Sequence, residues 1–149
     1  ATKLMSLPPL GKFPFLESLT IRNVCSLKKV GVEFLGIESE NKKEDIKIFP
    51  NLKYLRFVWL EELEEWIGIG GKEDADCITV MPRLQRLEIH GCGKLKSLPD
   101  FLRTIPLNKL EIAGCPIIKE RCQRETGEDW RTISHIPIID LEEHSYYLR

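Results

Sequence analysis

A chain of 149 residues has room for one domain with a real core and too little for two. Its 42% hydrophobic and 30% charged composition excludes a disordered chain. A net charge of -1 and a pI near 6.4 exclude a nucleic-acid or membrane-surface binder held by bulk charge. No apolar run reaches membrane-spanning length, and the opening Ala1-Thr2-Lys3-Leu4-Met5 lacks a signal peptide's apolar stretch. A start without an initiator Met points to a fragment or a processed product. Cysteines 25, 77, 92, 115 and 122 are odd in number, have no paired spacing, and occur without any Asn-x-Ser/Thr sequon, which favours a reducing, intracellular compartment.

Taken in chain order, residues 1–12 read as the end of an upstream repeat whose strand is missing, through the segment LPPLGK at 7–12. Solenoids need polar terminal caps, so an uncapped apolar end is expected there. Residues 13–115 hold four copies of one template. The first Leu of each copy is Leu16, Leu52, Leu84 and Leu107, at steps of 36, 32 and 23 residues. Apolar residues recur at +3, +5, +8 and +11: Leu19, Ile21, Val24 and Leu27; Leu55, Phe57, Leu60 and Leu63; Leu87, Ile89, Cys92 and Leu95; Leu110, Ile112, Cys115 and Ile118.

The L-x-x-L-x-I stretch alternates with period two, the mark of a short strand buried on one face. Pro14, Pro50, Pro82 and Pro106 precede the strands, where extended geometry is favoured and a missing N–H is tolerated. The +8 and +11 residues bring the chain back over the same core. One coil cannot bury its own apolar edge, so neighbouring coils must stack. The two longer steps carry the polar insertions 36–47 and 67–79, read as loops on the return side.

Beyond the repeats, 116–140 is expected to cap the last coil. A helix is predicted over 116–125, with Pro at its first turn and Gly127 beyond its end. Trp130, Ile133, Ile136, Ile138 and Ile139 supply apolar cover, and Pro137 is expected to limit further strand pairing. Residues 141–149 form a polar tail. The predicted fold is an α/β repeat: a leucine-rich-repeat solenoid with a short parallel sheet on its concave face, irregular or short helical returns, and a helical C-terminal cap.

Residues between the ladder positions point to that concave face. The candidate protein-binding residues are Arg22, Tyr54, Arg56, Trp59, Arg86, Glu88, His90 and Lys109, with Arg56, Glu88 and Glu111 aligned laterally. Tyr, Trp and Arg dominate interface energetics, and coils two and three concentrate them.

Catalytic chemistry finds no support: there are three histidines and no Gly-x-Ser-x-Gly. Cys92, Cys115, Cys122, His90 and His135 lack metal-ligand spacing, and small buried thiols account for the cysteines better. The acidic run Glu61, Glu62, Glu64 and Glu65 reads as a solvated face. No cofactor is expected in this chain. Its nearest approach to a phosphate loop, Gly70-Gly71-Lys72-Glu73, fails both the spacing and the final hydroxyl.

The segments LPPLGKFPFLESLTI (7–21), VGVEFLGIES (30–39), PRLQRLEIHGCGKLKSLPD (82–100) and GCPIIKERCQRETGEDWRTISHIPII (114–139) resemble plant resistance proteins of the coiled-coil, nucleotide-binding, leucine-rich-repeat family. The most distinctive part is Gly127-Glu128-Asp129-Trp130 followed by His135-Ile136-Pro137. The resemblance implies the C-terminal sensor region of a cytoplasmic immune receptor, without enzymatic activity. Its implied partners are a pathogen effector or guarded host protein, and the receptor's own nucleotide-binding domain. ADP or ATP would belong to that absent domain, and neither nucleic acid nor a membrane span is implied. Alternatives are a leucine-rich-repeat scaffold or ubiquitin-ligase adaptor, and an extracellular leucine-rich-repeat receptor or inhibitor.

Overall fold

The computed structural model describes residues 13–24, 26–31, 46–67 and 78–142, without the side chains of 46, 78 and 142. The upstream remnant 1–12 with its uncapped end, Cys25, Cys77, most of the two insertions, and the tail from 143 lie outside the described residues.

The L-x-x-L-x-I stretches become four parallel strands: β1 (Ser18–Arg22), β4 (Tyr54–Val58), β7 (Arg86–His90) and β8 (Lys109–Ala113). Their registers, Leu19↔Leu55↔Leu87↔Leu110 and Ile21↔Phe57↔Ile89↔Ile112, match the template residue for residue. The second to fourth members of both columns are fully removed from solvent, so each coil buries its edge against the next. Leu27, Leu63, Leu95 and Ile118 are likewise fully buried and close the core from the return side.

Two small parallel ladders flank the main sheet. One pairs β2 (Lys29–Val30) with β5 (Glu65–Trp66), and the other pairs β3 (Ile46–Ile48) with β6 (Ile78–Val80). A 3₁₀ turn at Asp100–Thr104 and two short helices, α1 (Pro116–Arg121) and α2 (Trp130–Ile133), complete an α/β architecture compatible with a repeat fold.

The C-terminal segment differs from expectation in two ways. First, α1 stops at Arg121 instead of continuing to 125. Glu125 adopts φ 67°, and the chain folds back until the Asp129 N–H donates to the Arg121 carbonyl at 2.8 Å. Gly127 permits that return, because a Cβ on it would lie 2.1 Å from the same carbonyl oxygen. Second, Pro137 does not end the sheet. Residues Ile138–Glu142 form β9, parallel to β8, so the strand order is β1-β4-β7-β8-β9 and β9 crosses the 140/141 boundary.

The physical reason for the fifth strand is local. At each earlier step two successive N–H groups, such as those of Gln85 and Arg86, donate to one carbonyl, here that of Lys53. Pro137 removes the first of such a pair, and Ile138 still donates to the Asn108 carbonyl at 3.3 Å. Buried Ile136 stands where Leu107 stands one coil earlier, with Ile139 and Leu141 in register with Leu110 and Ile112.

Cys92 and Cys115 sit buried side by side, the Cys92 N–H donating to the Cys115 Sγ at 3.3 Å, and Cys122 is buried within the cap. The bond to Cys92 and burial hold the Cys115 thiol well above the ordinary range, and burial pushes Cys122 up to about 12. An unfolded thiol ionises near pH ~8.5. Folded Cys122 therefore keeps its proton more tightly, and its contribution is complete below that pH and lost as pH rises toward 12. The urea midpoint is expected to fall steadily above pH ~8.5, with a shallower slope in Cys122→Val; equal slopes would refute the assignment.

Candidate functional site

Side chains between the ladder positions stand on the exposed face of the sheet, and the structure brings six of the eight candidates into one polar cluster. Register places Tyr54, Arg86 and Lys109 in one column and Arg56, Glu88 and Glu111 in the next. Glu88 is the centre. Its carboxylate accepts the Tyr54 hydroxyl on Oε2, lies 3.3 Å from Arg86 Nε, and lies 3.4 Å from Arg56 Nε on the Oε1 side. His90 Nε2 reaches Glu111 Oε2 at 2.6 Å and Glu88 Oε1 at 3.7 Å, and Lys109 Nζ is 3.6 Å from Glu111 Oε1. The Arg86 guanidinium also lies over the Tyr54 ring, 5.6 Å from its centroid. Burial, and then the bond to Glu88, raise the Tyr54 phenol above its usual value and keep it a neutral donor.

Glu88 departs from the role expected of it. Only 5% exposed, it lies beneath the cations instead of facing a partner. A lone carboxylate at that depth would be costly, and the Tyr54 hydroxyl together with the surrounding cations is what permits it. Val58 and Ala113, the last residues of their strands, are buried as well. Arg22 is exposed at the end of β1, beside Val58, and makes no ion pair among the described residues.

Trp59 lies past the end of β4, 49% exposed, with its indole over Gly91. A Cβ at Gly91 would fall 2.4 Å from the indole Cε3. Trp59, Glu61 and Lys94 thus border a shallow hollow floored by Gly91, Gly93 and Gly114. The backbone explains the floor. Asn23, Trp59, Gly91 and Gly114 all occupy the +7 position and all have φ between 56° and 70°. The N–H groups of Asn23, Trp59 and Gly91 carry the ladder one step past the strands, as in Trp59 N–H to the His90 carbonyl at 2.8 Å. Asn and Gly adopt this left-handed geometry readily, whereas Trp there is strained. Gly91 and Gly114 at equal offsets were the sequence signal for this turn.

Glu88, His90 and Glu111 present three ligand-type atoms within 4.8 Å of one another. The cluster is nonetheless a poor host for a divalent cation. Arg56, Arg86 and Lys109 already outnumber the two carboxylates, and a metal would add charge to a surplus of it. On the return side, Lys94 and Lys96 of the next coil meet Glu62 and Glu64 of the acidic run at 3.0 and 3.3 Å. These exposed pairs contribute little individually. Among the described residues, no helix is long and apolar enough to cross a membrane.

Sequence reasoning missed Asp129. Buried to 6% exposure, it accepts the Arg121 Nε and Nη2 donors at 3.0 and 3.1 Å and the Leu98 N–H at 3.2 Å, fastening the cap to the third coil.

A parallel α/β sheet fed by a repeated leucine template, with polar side chains gathered on one face, defines the class of protein. Neither a family model nor a solved structure matches the chain. Curated proteins do. Disease resistance RPP8-like protein 3 of Arabidopsis thaliana is 39% identical over 62% of this chain and 9% of its own length. Disease resistance RPP13-like protein 1, from the same plant, is 31% identical over 76% of this chain and 10% of its own length. Disease resistance protein RGA4 of Solanum bulbocastanum is 43% identical over 34% of this chain and 5% of its own length. The chain is homologous to plant disease resistance proteins at 31–43% identity, and it spans a tenth or less of these relatives.

Proposed function

We propose that this chain is the leucine-rich-repeat sensor region of a cytoplasmic plant immune receptor. It acts by binding a protein, a pathogen effector or a host protein under guard, and not by catalysis. It also restrains a nucleotide-binding switch that lies elsewhere in the receptor. Kinship with disease resistance proteins supports the setting. The observation that carries the binding role is Trp59: a large aromatic held half-exposed in a left-handed turn where the equivalent coils use Asn or Gly. Strain of this kind persists where function requires it, and exposed Trp beside Arg and Tyr is the composition of an interface anchor.

The test follows from the turn itself. Trp59→Asn copies the residue of the first coil, so the melting temperature stays close to that of wild type while recognition is lost. Affinity capture from host extract, with and without pathogen challenge, should show specific proteins retained by wild type and absent from Trp59→Asn. An identical set of captured proteins from a variant with an unchanged melting curve would overturn the reading.

A further inference from the structure

The exposed strand face carries charge in two layers. The carboxylates of the central cluster lie deep, the Glu88 side chain 6% exposed and that of Glu111 18%, whereas Glu17 at the first coil is 67% exposed. The cations lie above them, with side-chain exposures of 46% for Arg86 and 48% for Lys53. Although the cluster is nearly neutral in sum, the surface a partner meets over Arg86 and Lys109 is cationic.

One shallow groove on this face is lined by Lys53, Tyr54, Gln85, Arg86, Asn108 and Lys109, with no carboxylate among them. Register fixes its layout: Arg86 and Lys109 are neighbours on adjacent strands, about 4.8 Å apart, and Lys53, Gln85 and Asn108 form the preceding column. Gln85 and Asn108 add exposed amide donors between the cations. The Lys53 contact with Glu17, at 3.3 Å, is a pair between exposed groups and competes weakly with an incoming anion.

Resting on the reading of this face as a protein-recognition surface, we infer that the groove takes an acidic stretch of the partner protein. Its side-chain carboxylates lie against Arg86 and Lys109, with Lys53 at one end. Arg86 supplies the planar fork that matches a carboxylate, and its contact with the Tyr54 ring holds the fork in place. A nucleic acid fits less well. The cationic strip is short, the chain's net charge is -1, and the Tyr54 ring is covered by Arg86 instead of being open to stack a base.

The experiment is fluorescence anisotropy with labelled oligoglutamate, oligoglutamine and a random single-stranded oligonucleotide, each titrated with the full chain. Oligoglutamate should bind most tightly, and its affinity should fall as salt rises from about 0.01 M to about 0.1 M, where the screening length shrinks from about 30 to about 10 Å. Lys53→Gln/Arg86→Gln should weaken it by about tenfold, while Arg131→Gln, exposed on α2, leaves it unchanged. Lys109→Gln, which leaves the Glu88 partners in place, gives a second reading should the double variant melt early.

Equal binding of oligoglutamine, tighter binding of the oligonucleotide, or unchanged affinity in folded Lys53, Arg86 and Lys109 variants would overturn the inference. If oligoglutamate fails to bind while Trp59→Asn still strips captured proteins, the acidic partner is wrong and protein recognition stands. If oligoglutamate binds and Trp59→Asn loses nothing, the failure belongs to the recognition reading.

Discussion

Phe57→Ala is expected to lower the folding free energy by about 3–5 kcal/mol. Phe57 is fully buried in the column that runs Ile21, Phe57, Ile89, Ile112 across the sheet. Its ring meets Trp66 edge-on, with centroids 4.9 Å apart, and Trp66 in turn meets Phe101 at 5.9 Å. That chain of aromatics ties the sheet to the β2–β5 ladder and to the 3₁₀ turn. Truncation therefore leaves a cavity between Trp66 and the ladder neighbours Ile21 and Ile89, and sites that collapse poorly lie at the costly end of the range. The measurement is urea unfolding: the midpoint should fall with little change in slope. A loss below about 1 kcal/mol would mean that the neighbouring side chains repack freely and the column is not a ladder of the kind described.

The second large effect lies at the other end of the chain. Asp129→Ala should cost about 2–4 kcal/mol, because it orphans the buried Leu98 N–H and removes the partner of Arg121. Arg121 keeps Glu128 at 2.6 Å, so its charge is not stranded and the loss stays below that of a fully buried pair. Asp129→Asn retains an acceptor for Leu98 and should lose less. Hydrogen exchange would locate the damage: amides of α1, α2 and β9 should lose protection before those of β4 and β7. Uniform loss across all strands, or equal loss in the Ala and Asn variants, would show that Asp129 does not fasten the cap.

The ladder was legible because burial of a repeated coil imposes a fixed spacing on Leu and Ile. Registers as distant as Leu19↔Leu55 and Arg56↔Glu88 follow from counting residues. The fifth strand was hidden by two features. Ile136 and Ile139 replace the leucines of the template, Leu141 stands where it has Ile or Phe, and Pro137 falls inside the motif instead of before it. A proline there is harmless only because the carbonyl it faces has a second donor, and that depends on how β8 and β9 meet. In the candidate site, the residue types and their columns were readable, but their depth was not. Sequence put Glu88 and Arg86 on one face as equals, whereas packing set the carboxylate below and the guanidinium above.

Sequence alone determined the strand face and the lateral neighbours, because both depend on spacing along the chain, and its C-terminal segments carried the resemblance to resistance proteins. Tertiary structure alone decided which charges are buried, that Trp59 stands on a glycine floor in a left-handed turn, and that Asp129 holds the cap. Each of those depends on which atoms of separate coils come within a few ångströms of each other, and no residue encodes that distance by itself.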